Sequence, residues 1–107
     1  MNDNVGRNGS YSLEPGGQLE WSSPPRNNLF DLASAQKEHH KLLNLITKEK
    51  GLKIIYYGVE PHYSPGDIDL INQLKYQLMD TNMKNNGTMG QWMMRNTASI
   101  QINFDII

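Results

Sequence analysis

Thr97-Ala98-Ser99-Ile100-Gln101-Ile102-Asn103-Phe104-Asp105 alternates polar and apolar residues without a break. Side chains along a β-strand point to opposite faces in turn. In a strand, Thr97, Ser99, Gln101, Asn103 and Asp105 share one face, and Ala98, Ile100, Ile102, Phe104 and Ile106 share the other. The polar row carries hydroxyls, amides and a carboxylate but no lysine or glutamate, the long charged residues that dominate solvated surfaces. That composition suits a binding surface. A second stretch, Leu13-Glu14-Pro15-Gly16-Gly17-Gln18-Leu19-Glu20, puts Glu14, Gly16, Gln18 and Glu20 on one face by the same count. Two carboxylates on one strand, with amides and hydroxyls on another, make a hard, oxygen-rich surface that suits Mg²⁺ and a zwitterionic substrate.

Working outward, the chain reads as alternating strands and helices. Ser10–Ser22 reads as an interrupted strand. Pro15 cannot donate to a ladder and Gly16-Gly17 removes two side chains, which implies a bulge or a close backbone approach to a ligand. Asn27 or Asn28 suits the N-cap of a helix running to about Lys50, with Leu32, Ala35, Leu42, Leu43 and Ile46 as its stripe and Gly51 as its stop. Leu52–Val59 is an apolar run that reads as a buried strand. Pro61 and Ser64-Pro65-Gly66-Asp67 break the chain. A second helix is expected from Ile68 to about Lys84, with Leu70, Leu74 and Leu78 facing inward. Thr88–Trp92 reads as a loop and Met93–Ile106 as the last strand. The expected class is α+β, in the order β-α-β-α-β, with one antiparallel sheet and both helices on one face. Residues 1–9 are polar and read as a flexible arm; residues 10–107 form the domain.

The 107 residues allow one domain at most. A net charge of −1 and a pI near 6.3 leave no electrostatic footprint for nucleic acid or an anionic membrane. With no cysteine, disulfides and thiolate metal sites are excluded. No apolar run approaches the length of a membrane span. No targeting segment is read at the start, so a cytoplasmic location is expected. The chain stops inside an expected strand, which suggests a piece of a longer protein.

Plainer readings stand beside the functional ones. Glu14 and Glu20 suit either metal ligands or solvent-facing acids, although the costly Gly-Gly pair beside them asks for a reason. The polar row on the last strand also suits the wet side of an antiparallel sheet. His39-His40 is no metal pair, because adjacent helical residues do not face each other; His39 falls on the apolar stripe. Met89, Trp92, Met93 and Met94 read as core or pocket wall. The chain holds no P-loop, dinucleotide fingerprint, nucleophile elbow or metal-binding His-Glu helix.

Ser12-Leu13-Glu14-Pro15-Gly16-Gly17-Gln18-Leu19-Glu20-Trp21-Ser22 resembles the Leu-Glu-Pro-Gly-Gly-Gln-x-Glu-x-Ser signature of the plant-type glutamate–cysteine ligases. Gly58-Val59-Glu60-Pro61 resembles the family's Gly-Phe-x-Pro. Lys75-Tyr76 stands where Arg-Tyr is usual, and Asn82 where a tyrosine usually precedes Met83. Met93-Met94-Arg95-Asn96-Thr97 through Gln101, Asn103 and Asp105 resembles Met-Met-x-x-Thr-x-x-x-Gln-x-Asn-x-Asp. The likeness runs from about Ser10 to Asp105.

The resemblance implies a fold like the catalytic domain of glutamine synthetase, with this chain as a central fragment. It implies ATP-dependent joining of the glutamate γ-carboxylate to the cysteine amine through γ-glutamyl phosphate, the first step of glutathione or, in a relative, ergothioneine synthesis. Glutamate, cysteine and ATP are then the small-molecule partners, with the remainder of a ligase chain. Glu20, Glu14 and Gln101 would hold Mg²⁺; Gln18, Thr97, Asn103 and Arg95 would meet substrate; Gly16 and Gly17 would line the nucleotide side. No catalytic residue is assigned. The alternatives are a non-catalytic α+β binding or scaffold domain, and a ligase using another amine.

Overall fold

The computed structural model describes residues 9–106. The expected arm over residues 1–9 therefore lies, Gly9 apart, outside the described residues. The observed order is β1 (Ser10–Leu13), β2 (Leu19–Ser22), α1 (Leu29–Glu49), a single 3-10 turn at Pro65–Asp67, α2 (Leu74–Asn86) and α3 (Gly90–Arg95). A small antiparallel sheet with three helices is compatible with the α+β class. The chain divides into two compact units. One holds residues 9–12 and Leu19–Tyr56; the other holds Leu13–Gln18 and residues 57–106.

The interrupted strand is a hairpin. The Glu14 carbonyl accepts from the Gly17 N–H and the Glu14 N–H donates to the Gln18 carbonyl, both at 2.8 Å. Pro15-Gly16-Gly17 is thus a three-residue loop, a tight turn followed by a left-handed residue. Gly17 is that residue, at φ +88°, where any Cβ is strained.

In the first unit, α1 begins where expected. The Asn28 side chain accepts from the Asp31 N–H at 2.9 Å and donates to the Asp31 carboxylate at 3.0 Å, which satisfies an orphan N–H of the first turn. The helix ends in paired reversal bonds: the Leu52 N–H donates to the Thr47 carbonyl at 2.8 Å and the Gly51 N–H to that of Lys48 at 3.2 Å. Gly51 supplies the left-handed φ of +69° that this ending needs. The inner face of α1 is aromatic as much as aliphatic. Trp21 stacks on His39, with ring centroids 4.7 Å apart and planes 5° from parallel. The Tyr11 hydroxyl lies 2.9 Å from His39 Nδ1. Burial, and then the charge of His40, lower the His39 pKa below its ordinary 6.5.

In the second unit, a reciprocal cap holds the 3-10 turn. The Ser64 N–H and hydroxyl both donate to the Asp67 carboxylate, at 3.0 and 2.9 Å, and these bonds lower the Asp67 pKa. The second helix starts six residues later than the expected Ile68. The Ile71 N–H is taken by the Pro15 carbonyl at 2.8 Å, so the chain turns helical only at Leu74, with Gln73 as its cap.

Two expected strands do not form. Leu52–Val59 has no ladder beyond an isolated antiparallel bridge between Val59 and Thr97. Ile55 and Tyr56 stay exposed. An apolar run becomes a strand only when another strand pairs with it. In Met93–Ile106 the alternation begins at Thr97, and the preceding Gly90–Arg95 is helical where a loop and strand start were expected. Residues 98–106 are exposed and carry no regular structure. Among the described residues the β-α-β-α-β order is accordingly replaced by the order given above.

Candidate functional site

In the second unit the tip of the hairpin meets the C-terminal end of α3. Gln18 follows the left-handed glycine, and its Nε2 donates to the carbonyls of Met94 at 3.2 Å and Thr97 at 3.1 Å. Both N–H groups of the amide are thereby used. Gln18 Oε1 is buried and meets no donor among the described residues. Gly16 stands against Arg95: a Cβ there would lie 2.7 Å from Arg95 Cα and would strike the Arg95 carbonyl. Pro15 is buried, and the Tyr76 hydroxyl donates to the Leu13 carbonyl at 3.2 Å. Each glycine of the pair thus has a reason within the fold: conformation for Gly17, contact for Gly16.

Arg95 is committed on every side of its guanidinium. Nε donates to Asp80 at 3.2 Å and Nη2 pairs with the same carboxylate at 2.8 Å. Nη1 donates to the carbonyls of Pro65 at 3.2 Å and Ile68 at 2.8 Å. Gln91 also donates to Asp80, at 3.3 Å. With Arg95 14% and Asp80 17% exposed, this charge pair is largely removed from water. It ties α2, α3 and the 3-10 turn together.

Asn96 is the most buried polar residue described, at 4% exposure. Its N–H donates to the Trp92 carbonyl at 2.9 Å, closing α3, and its carbonyl accepts from the Glu60 N–H at 2.7 Å. Nδ2 donates to the Tyr63 carbonyl at 2.9 Å, while Oδ1 meets no donor among the described residues. The Glu60 carboxylate accepts from the N–H groups of His62, at 2.9 Å, and Tyr63. Thr97 Oγ donates to the Met93 carbonyl at 2.6 Å. Met94, at 3% exposure, is the buried hydrophobic residue under this assembly.

Gln18, Arg95 and Thr97, all candidates from the sequence, meet here with Gly16. Asn96 and Asp80 join them without having been candidates. The one available signal was the four-residue spacing of Gln91 and Arg95, which puts both on one helix face and calls for an acidic partner. Gln101 and Asn103 lie beyond the meeting point, exposed, with Gln101 Nε2 donating to Asn103 Oδ1 at 3.2 Å. Glu14 closes the hairpin with its backbone. Glu20 lies in the first unit, where Ser12 Oγ stands 3.5 Å from its carboxylate.

These donors do not assemble a metal centre by themselves. Among the described residues no group of three or more His, Cys, Asp or Glu side chains is placed to hold a metal ion, whereas Mg²⁺ takes about six oxygens in near-octahedral array. No helix among the described residues is long and apolar enough to cross a membrane.

The two stretches joined through Gln18 are the ones whose sequence resembles a carboxylate–amine ligase. Comparison with protein families agrees. The model of glutamate-cysteine ligase family 2 matches residues 1–106, and the chain belongs to that family. It is 32% identical over 96 residues to the chloroplastic glutamate–cysteine ligase of Arabidopsis thaliana, covering 90% of this chain and 18% of that one. It is 31% identical to glutamate–cysteine ligase A of Oryza sativa subsp. japonica, covering 90% and 20%. The Nicotiana tabacum enzyme is 31% identical over the same share of this chain. The chain thus spans about a fifth of the length of the curated relatives it matches. All three relatives are named chloroplastic, and this overturns the expectation of a cytoplasmic protein.

Proposed function

We propose that this chain is the central part of the catalytic domain of a glutamate–cysteine ligase. The reaction transfers the γ-phosphoryl group of ATP to the glutamate γ-carboxylate, giving ADP and an acyl phosphate. The cysteine amine then attacks the acyl carbon, phosphate leaves, and the nitrogen loses a proton. Magnesium would supply charge neutralisation on the phosphates; Glu14 and Gln101 in the second unit, and Glu20 in the first, are each a candidate partial ligand, the rest of the coordination coming from outside this chain. The observation that carries the reading is the grip of Gln18 on Met94 and Thr97. It joins the two matched motifs through a side chain that both motifs need.

The chain's own residues then take definite parts. The Gln18 amide, donating to the backbone carbonyls of Met94 and Thr97, holds the hairpin tip against the end of α3, beside the glutamate site. Thr97 and Asn103 line the same substrate. Arg95 positions rather than binds, because four of its five N–H donors are used within the fold. Gly16 and Gly17 shape the loop that carries Gln18. The sheet of the glutamine synthetase-like domain is completed by strands beyond this chain, and a plastid is the compartment that the relatives' names indicate.

A chimera tests this. The matched segment of the Arabidopsis thaliana ligase is replaced by residues 10–105 of this chain, and γ-glutamylcysteine formation is followed with ADP release. The chimera is expected to turn over, and Gln18→Leu to cut turnover at least tenfold while the fold is kept. A folded chimera without activity would sink the proposal.

A further inference from the structure

Asn96 has no part in the ligase reading, yet at 4% exposure it is the most buried polar residue described. Burying an amide costs free energy unless hydrogen bonds replace those to water. What Asn96 bonds is one turn, Glu60 to Tyr63, held at both ends. Its carbonyl accepts from the Glu60 N–H at 2.7 Å, and its Nδ2 donates to the Tyr63 carbonyl at 2.9 Å. Between those ends the Glu60 carboxylate accepts from the N–H groups of His62 and Tyr63. Glu60 closes the turn on itself, and Asn96 fixes the closed turn to the end of α3.

The main chain then runs straight into Thr97. Val59 bridges Thr97 in antiparallel sense, and the Ala98 N–H donates to the Gly58 carbonyl at 3.1 Å. With the bond from Glu60 to Asn96, residues 58–60 and 96–98 make one short antiparallel pairing. So few backbone bonds hold a register weakly, and a slip of one residue exchanges the two faces of a strand. The bond from Asn96 Nδ2 to the Tyr63 carbonyl lies outside the pairing and fits one register only. A slip would carry that carbonyl about 3.3 Å along the chain, out of hydrogen-bond reach. All of these partners lie in the second unit.

We infer that Asn96 is a positioning residue of the site: it pins residues 58–60 in register on 96–98 and thereby sets where Thr97 stands. The register half rests on the bonds above. The consequence for substrate rests on the ligase reading, which puts Thr97 against glutamate. A displaced Thr97 weakens glutamate binding and leaves that of ATP alone.

Two variants separate shape from hydrogen bonding. Asn96→Leu keeps the volume and Asn96→Asp the outline. Both remove the N–H donors that the Tyr63 carbonyl needs, and neither touches the main-chain carbonyl used by Glu60. Amide hydrogen exchange on the chain itself is the first readout. Protection of the Glu60, His62 and Tyr63 N–H groups is expected to fall about tenfold or more in both variants, with α1 and α2 unchanged. Unchanged protection at those amides would overturn the inference. So would an equal loss throughout α2, which would make Asn96 a residue of the fold at large. The second readout is kinetic, in the chimera with the Arabidopsis thaliana ligase. Asn96→Leu is expected to raise the KM for glutamate about fivefold and to keep that for ATP within about twofold. A purely structural role would lower the active fraction, and so kcat, with both KM values unmoved; that result would overturn the positioning role. A chimera inactive before substitution would sink the ligase reading and the glutamate consequence together, while the exchange measurement still decides the register.

Discussion

The hairpin at residues 10–22 and the segment at residues 98–106 carry the same kind of strand pattern, yet only the first is a sheet. The difference lies in the partner. The hairpin brings its own second strand across three loop residues, Pro15-Gly16-Gly17, so pairing involves a short loop closure. The distal segment has Gly58 and Val59 for its first residues and, among the described residues, no neighbour in the ladder after that. Alternation states what a strand would bury; it does not supply the other strand.

The contrast can be broken at its strongest point first. Arg95→Met strips the largely buried Asp80 carboxylate of its counter-charge, leaving it only the Gln91 amide, and frees the carbonyls of Pro65 and Ile68. A loss of about 3 kcal/mol is expected, read by denaturant unfolding. A loss under about 1 kcal/mol would show that the pair is a surface contact. Gly16→Ala forces a Cβ onto the Arg95 backbone and is expected to cost about 2 kcal/mol. Gly17→Ala, with open space around it, costs only the left-handed conformation, about 1 kcal/mol. Equal costs at the two positions would refute the contact with Arg95.

The body of the hairpin can be probed by pH. The folded chain holds His39 below its ordinary 6.5, so on acidification the unfolded chain takes up the proton first. Stability from this group is full above pH 6.5 and falls as pH drops from 6.5 toward the lowered value. His39→Phe keeps a ring against Trp21 and removes the titration. The difference in unfolding midpoint between the two chains is expected to vary across that window and to be flat above it. A flat difference throughout would mean that His39 is as free to protonate folded as unfolded. At the small end, Ile102→Ser is expected to change the stability of the monomeric chain by less than about 0.5 kcal/mol, since Ile102 is already exposed. A large loss would place residue 102 in the core of the single chain.

Local signals were legible and non-local ones were not. Asn28 and Gly51 mark α1 because a cap and a left-handed stop act on immediate neighbours. The Pro-Gly-Gly interruption was visible for the same reason, although a turn and a ligand approach leave one trace in sequence. The α2 start was misread because a carbonyl from Pro15, far back in the chain, takes the Ile71 N–H. Helix α3 was missed by carrying the alternation back past Thr97, where the adjacent Met93-Met94 pair already breaks it. At the site, sequence named Gln18 and Thr97 separately; nothing local says that the amide of one holds the carbonyl of the other. Asn96 has no periodic signature at all, since its hydrogen-bond partners Glu60 and Tyr63 lie far back in the chain.

The span of the Gln18 bonds bears on how the chain folds. They close loops of 76 and 79 residues, and such contacts are entropically the last to be rewarded. The hairpin turn and the helices can form from neighbours alone, so the native grip of Gln18 belongs on the far side of the folding barrier. A change there, such as Gln18→Leu, should leave the refolding rate nearly untouched and raise the unfolding rate by most of whatever stability is lost. The amide would then act as a latch, setting how long the second unit stays closed rather than how quickly it first closes.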